Sequence, residues 1–463
     1  MTLIGRMPSD PAGPQDPPFA PSNPRTFGSL LYPREVMHIP NIRTLASVVA
    51  CGIAIGACTQ TKPAEQKAET KTPAAPWVTV QPLELPVTTP AGMPQLTRAG
   101  RGVTLSWVDN SDDAASLRFA EWTGDKWSAV STAAKGKDWF QSWADVPSVT
   151  RLSSGALVAN WFVNTKPEEE AYDLLLSYSK DEGKTWAKPF KPHRDRTQTQ
   201  HGFASIVEMP DQGVGVVWLD GRDMAANTTD PQGGVMTLRF TRFDRDWKQA
   251  PDVEVNRRVC ECCQTAAAVT TDGVVTAFRD RSDKEIRDIA VARLDGAAWT
   301  PGTIVHADNY ESLSCPVNGP AISARGNDVA VAWYTVQKDV GHAFAAFSHD
   351  AGRSWSPPVR LDEDQSLGRV DIELLDDGSA AATWVEFANG RRRFVLRHVE
   401  ASGRVSAPLD VRSQESGRLS GYPRLSRSGD ALLFTWAEGA GGPDEEVEGG
   451  PTKIKGAIAR LPH

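Results

Sequence analysis

The octapeptide Ser179-Lys180-Asp181-Glu182-Gly183-Lys184-Thr185-Trp186 decides how this sequence folds, because it returns as Ser348-His349-Asp350-Ala351-Gly352-Arg353-Ser354-Trp355. The shared pattern, Ser-x-Asp-x-Gly-x-(Thr/Ser)-Trp, gives each residue type a job in a hairpin. The Asp carboxylate accepts bonds from turn N–H groups, and the Gly supplies a positive φ. The Trp opens the next strand and buries a large apolar face against a neighbouring sheet. Two full copies make a repeat.

Working outward, short apolar strands end in an aromatic about every 50 to 60 residues: Trp107, Trp161, Trp218, Phe278, Trp333, Trp384 and Trp436. A strand and a tight turn precede each, as in 202–213 and 368–378, and two further strands follow. Period-2 alternation and regular turn residues mark four antiparallel strands per module. Length alone suggests two or three domains, but repetition overrides that prior. Seven landmarks predict a seven-bladed β-propeller. Its last module lacks a fourth strand after Trp436, and Trp77–Leu83, ahead of the first module, is placed to supply it beside Ile454–Leu461. Closure of this kind removes exposed sheet edges.

The octapeptide resembles the Asp-box of sialidases and other BNR-repeat β-propellers, and the likeness covers residues 76–463 as architecture. In that family the box is structural, so it implies a fold. Catalytic domains of the family have six blades, which keeps a six-bladed ring as the alternative. The resemblance implies three arginines clamping a sugar carboxylate, an Asp acid/base and a Tyr nucleophile activated by Glu. The family's Arg-Ile-Pro-type motif is absent; the first module offers Met93-Pro94-Gln95.

Residues 1–36 are Pro-rich without periodicity and read as disorder, an over-extended start before Met37. Arg43, the apolar run Thr44–Ala57 and Ile55-Gly56-Ala57-Cys58 read as a lipoprotein signal over 37–57 with Cys58 lipidated. Residues 58–75 then form a flexible tether. The expected location is the bacterial cell envelope, lipid-anchored and facing the periplasm or exterior, with the membrane as a partner and the protein a monomer. The net charge of −8, without a basic stripe, points away from nucleic acid.

Antiparallel order puts the first-to-second and third-to-fourth strand turns of every blade on one face. The longer loops fall on the other, where function concentrates. There lie Asp220, Arg222, Asp223, Arg279, Asp280, Arg281, Glu285, Arg287 and Asp288, with Arg369 further on. Arginine forks suit an anionic ligand, while an inter-blade salt-bridge network is the plain alternative. Cys260, Cys262 and Cys263 in one loop and Cys315 in the next are expected to cluster beside Arg222, Arg279 and Arg281. Disulfides are the first reading in an oxidising compartment, and a soft metal (copper or zinc), with His201 or Met224 as extra ligands, is the second. Trp139, Phe140, Trp143, Tyr310 and Tyr422 could stack on a sugar or plug the channel. Three functions are therefore open. The first is binding of an anionic ligand, plausibly a glycan. The second is sialidase-like glycoside hydrolysis using Asp220 or Asp280 with Tyr422. The third is metal binding or envelope scaffolding.

Overall fold

A computed structural model describes residues 76–88, 90–99, 102–110, 114–167, 170–224, 234–388, 391–412, 418–439 and 452–462. The signal, Cys58 and the tether lie outside the described residues. Within them, seven antiparallel sheets form a seven-bladed propeller. The innermost strands are Ala91–Ala99, Ser148–Arg151, His201–Glu208, Ala266–Thr270, Ala321–Arg325, Gln365–Leu374 and Arg418–Ser428. Each aromatic landmark sits on the second strand of its blade and is buried. Core clusters form where one blade's inward residues meet the next blade's, such as Trp333 against Val275 and Val291.

Blade two is the least regular. It has three named strands, and its outer edge is a single bridge between Leu176 and Phe190. Blade seven takes Val80–Leu83 as its outer strand, antiparallel to Thr452–Arg460, with Val80 opposite Ala459 and Leu83 opposite Gly456. Val78 joins the core shared by blades six and seven, and the Trp77 ring lies 5.1 Å from that of His398. The ring therefore closes as the sequence predicts.

Both Asp-boxes join third strand to fourth on the short-turn face. Asp181 Oδ1 accepts from Ser179 Oγ (2.8 Å) and Thr185 N (2.9 Å), and Oδ2 accepts from Thr185 Oγ1 (2.6 Å). Asp350 repeats the set with Ser348 and Ser354. The Thr185 hydroxyl and N–H bonds hold the Asp181 carboxyl down to about 2. Glu182 shares the left-handed turn with Gly183, as Ala351 does with Gly352. Trp186 packs edge-on against Phe119 of blade one, so the box also fastens neighbouring blades.

Candidate functional site

On the long-loop face, the inner strands enter the channel bulged. Register breaks fall between Gly92 and Gln95, beside Phe203, between Ser366 and Asp371, and between Ser420 and Arg424. Left-handed non-glycine residues sit in or near these bulges: Met93 (φ 55°), Phe203 (φ 51°) and Arg369 (φ 54°), with Val317 (φ 47°) in the loop entering blade five. Such backbone costs on the order of 1–3 kcal/mol per residue and clusters at functional sites. Here it surrounds one cavity of about 940 Å³.

Phe140, Trp143, Tyr172, Phe203 and Tyr422 give that cavity aromatic walls, and Asn110, Gln141 and Gln200 give it amides. Asn110 and Gln141 pair reciprocally at 2.8 and 3.2 Å. Trp143 stacks on Tyr422 at 5.8 Å, and the Arg369 guanidinium lies 5.0 Å from the Trp143 ring. Arg369 Nη1 donates to the Gly421 carbonyl at 2.9 Å. Trp139 is different: it is buried, stacked on Trp161 at 5.9 Å. Tyr310 lies under Arg279 and does not line the cavity.

The floor is built by the two cysteine loops. Gln264 Nε2 donates to the Ala144 carbonyl (3.0 Å), and its Oε1 accepts from Gly319 N (2.9 Å). A Cβ on Gly319 would stand 2.0 Å from the Gln264 carbonyl, so only glycine permits this approach. Asn318 Oδ1 accepts from Arg369 N at 2.8 Å, and Tyr422 donates its hydroxyl to the Val317 carbonyl. Burial pushes the Tyr422 hydroxyl up to about 12, against the pull of Arg369, Arg424 and Arg279. That is opposite to what a nucleophile requires, and Tyr422 is a floor residue.

The structure brings Cys260, Cys262, Cys263 and Cys315 into one cluster, every Sγ within 4.8 Å of the others. Cys260 pairs with Cys263, and Cys262 pairs with Cys315 across two blades. Cys262 reaches the cavity wall. Of the arginines expected beside them, Arg287 donates to Cys260 Sγ at 3.5 Å and to Glu261 and Glu285. Arg281 bonds Glu285 at 3.0 Å and also Glu261. Arg279 is 1% exposed and donates to the carbonyls of Asn318, Arg287 and Tyr334 at 2.6–2.9 Å. These forks bind the protein itself, as in the salt-bridge alternative. Asp280 is half-buried and accepts from Asn256 at 3.4 Å; burial above all raises its carboxyl.

Arg222 departs from the expected cluster. Its guanidinium spans Asp220, Asp195 and Asp252 at 2.7–3.3 Å, within a network between blades two and three. Asp220 also accepts from Trp218 Nε1 at 2.7 Å, and Glu386 and Glu438 do the same for Trp384 and Trp436. The residue is thus a structural partner of its blade's tryptophan. Although burial opposes its charge, Arg222 and His201 hold Asp220 low, which leaves no proton for acid catalysis at neutral pH. His201 belongs to this network and not to the cysteines. Its ring stacks on His193 at 3.8 Å and 7°, with Asp173 at one edge of the pair and Asp195 at the other. One ion cannot lie in both ring planes when they are parallel, so the pair does not chelate. Burial works against charge on His201, but Asp195, Asp220 and Asp173 outweigh it and raise the ring; His193 is pushed down by burial.

Below the floor lies a second cavity of about 530 Å³, which shares Ala144, Val146, Phe203 and Tyr422 as walls. Sequence reading missed its carboxyls. Asp145 accepts from Tyr172 (3.0 Å) and Phe203 N (2.9 Å), and burial pushes it up to about 7. Glu373 is also pushed up to about 7 by burial. Both stand on or beside inner strands, where alternation predicts apolar side chains. The one available signal was a charge on an otherwise alternating strand.

No protein-family model matches the chain, and no curated protein matches it. Solved structures do. Polysaccharide lyase Uly1 aligns with a TM-score of 0.50 at 9% identity, covering 80% of this chain and 90% of that one. A protein of unknown function from Dyadobacter fermentans gives 0.47 at 13%, covering 83% and 99%. The NanB sialidase from Streptococcus pneumoniae gives 0.44 at 11%, covering 78% and 83%. At these identities the likeness concerns fold alone. What this chain shares with the lyase is a propeller architecture.

Proposed function

We propose that this chain is a binding propeller whose long-loop mouth takes a glycan by stacking and amide hydrogen bonds, without an arginine clamp. The observation that supports it is the convergence of strained, bulged inner strands on one aromatic-walled cavity of about 940 Å³, within the size range of ligand sites. The aromatic side chains of the wall, Trp143 among them, offer apolar contact area, and the amides of Asn110, Gln141 and Gln200 offer donors and acceptors for hydroxyls. Arg222, Arg279, Arg281 and Arg287 are engaged by carboxylates and carbonyls. Arg369 is held by the Gly421 carbonyl and the Trp143 ring. The sialidase-like alternative finds no support in Tyr422 or Asp220, for the reasons given above.

Titration with a panel of neutral and acidic oligosaccharides tests the reading. Binding should vary little between 50 and 300 mM salt, because no dense charge cluster faces the ligand. Trp143→Ala should weaken it at least tenfold. A panel without a binder, or a Trp143→Ala protein that binds equally well, overturns the proposal.

For the cysteines we favour the paired state in an oxidising compartment, consistent with an envelope location tethered through Cys58, which we likewise propose. A soft-metal state, with copper or zinc, belongs to reducing conditions.

A further inference from the structure

The four sulfurs of two disulfides gather at one point. Cys260 and Cys315, which are not partners, have their Sγ atoms 3.6 Å apart. In a tetrahedral site with metal–sulfur bonds of about 2.3 Å, sulfurs stand about 3.8 Å from one another, so this pair already has the spacing and the two bonded pairs would part to it on reduction. The cluster as a whole fits inside 4.8 Å. Three sulfurs come from one loop and one from the next blade's loop, so a shared centre would join the blades as the disulfide does.

The surroundings provide a second, independent observation. Arg279 is a fully buried cation whose three hydrogen bonds all go to backbone carbonyls, and it forms no ion pair among the described residues. It connects to the cluster through Arg287: Arg279 Nη1 holds the Arg287 carbonyl (2.6 Å), and Arg287 Nη1 points at Cys260 Sγ (3.5 Å). Four thiolates around a divalent ion carry a net charge of about −2. A centre of that charge gives the Arg287 N–H, 3.5 Å from Cys260 Sγ, a thiolate acceptor. No histidine completes the set, since His201 is held by Asp195.

We propose that the reduced cluster, Cys260, Cys262, Cys263 and Cys315, is a closed four-thiolate site for one zinc-type divalent ion. Reduction of each disulfide takes two electrons from a phosphine, which leaves as its oxide, and two protons from the water that supplies the oxide's oxygen. Binding then releases the four thiol protons, so uptake strengthens as pH rises. The site does not rest on the glycan reading, although Cys262 also reaches the wall of that cavity.

The test uses the full chain, reduced with a phosphine under nitrogen and titrated with Co(II) as the spectroscopic probe. The expected result is one Co(II) per chain, with the sulfur charge-transfer and intense visible bands of a tetrahedral thiolate complex, displaced by one equivalent of Zn(II). Cys315→Ser should lower affinity at least a hundredfold. Alkylation of the Zn-loaded wild type should find all four thiols protected together, which serves as the readout should Cys315→Ser fail to fold. A reduced wild type that takes up no Co(II) overturns the proposal. So does protection of fewer than four thiols, or a folded Cys315→Ser that binds as tightly as wild type.

Discussion

Glu373 and Arg279 show what a residue's type reveals and what it conceals. The inner-channel carboxyl of Glu373 accepts from Ser323 Oγ at 3.1 Å and is pushed up to about 7 by burial, against the pull of Arg98. Its folded pKa lies above its unfolded one, so its contribution to stability is full below about pH 4.5 and is lost as pH rises through about 7. Glu373→Gln keeps the acceptor and removes the titration. The variant should be more stable than wild type at pH 8, by roughly 3 kcal/mol at most, and equal to it near pH 4. Urea unfolding at the two pH values checks this, and parallel curves would refute it. Arg279→Ala leaves three buried carbonyls without their donor and should cost on the order of 3 kcal/mol. Arg279→Lys should recover only part of that, since one ammonium cannot reproduce the fork. Arginines on the long-loop face were legible in the sequence as forks. The partners of Arg279 were not, because Asn318, Arg287 and Tyr334 reach it through backbone carbonyls, which no residue type announces.

The Asp-box is the element most fully written in the sequence: the Asp181 carboxylate accepts a turn N–H and Gly183 takes the positive φ, as expected, while the Thr185 hydroxyl bond was not foreseen. What spacing alone leaves open is how the turn packs. Gly183 (φ 85°) stands where an added Cβ would lie 2.9 Å from the Phe119 ring of blade one, whereas Gly378 (φ 81°) faces open space. Both positions strain an L-residue alike, so the comparison isolates packing. Gly183→Ala should lose about 1–2 kcal/mol more than Gly378→Ala in chemical denaturation. Equal losses would mean that the box does not fasten blade two to blade one. Strand alternation also predicted blade two as four full strands, but its outer edge shrinks to the Leu176–Phe190 bridge. The bulges that aim Met93, Phe203 and Arg369 at the mouth were not legible either. A bulge depends on partner register, which appears only when two strands are paired.

At the scale of the whole molecule, blade number and closure were both readable, because seven aromatic landmarks and one missing strand are facts of spacing. Deleting 76–86 should leave the Thr452–Arg460 strand with a bare edge, lower the melting temperature by 10 °C or more, and promote self-association. An unchanged melting temperature would show that closure contributes nothing. The mouth was harder to read, since its walls come from six different blades and the loops that enter them, and only the ring brings them together. Closure by Val80–Leu83 also sets an order of events during synthesis. That strand leaves the ribosome before any blade exists, while its partner Thr452–Arg460 is made only after the other six blades. A nascent chain therefore carries an unspent strand through most of its elongation, and a prematurely terminated one never finds the partner. Completing the circle therefore waits on the synthesis of the seventh blade.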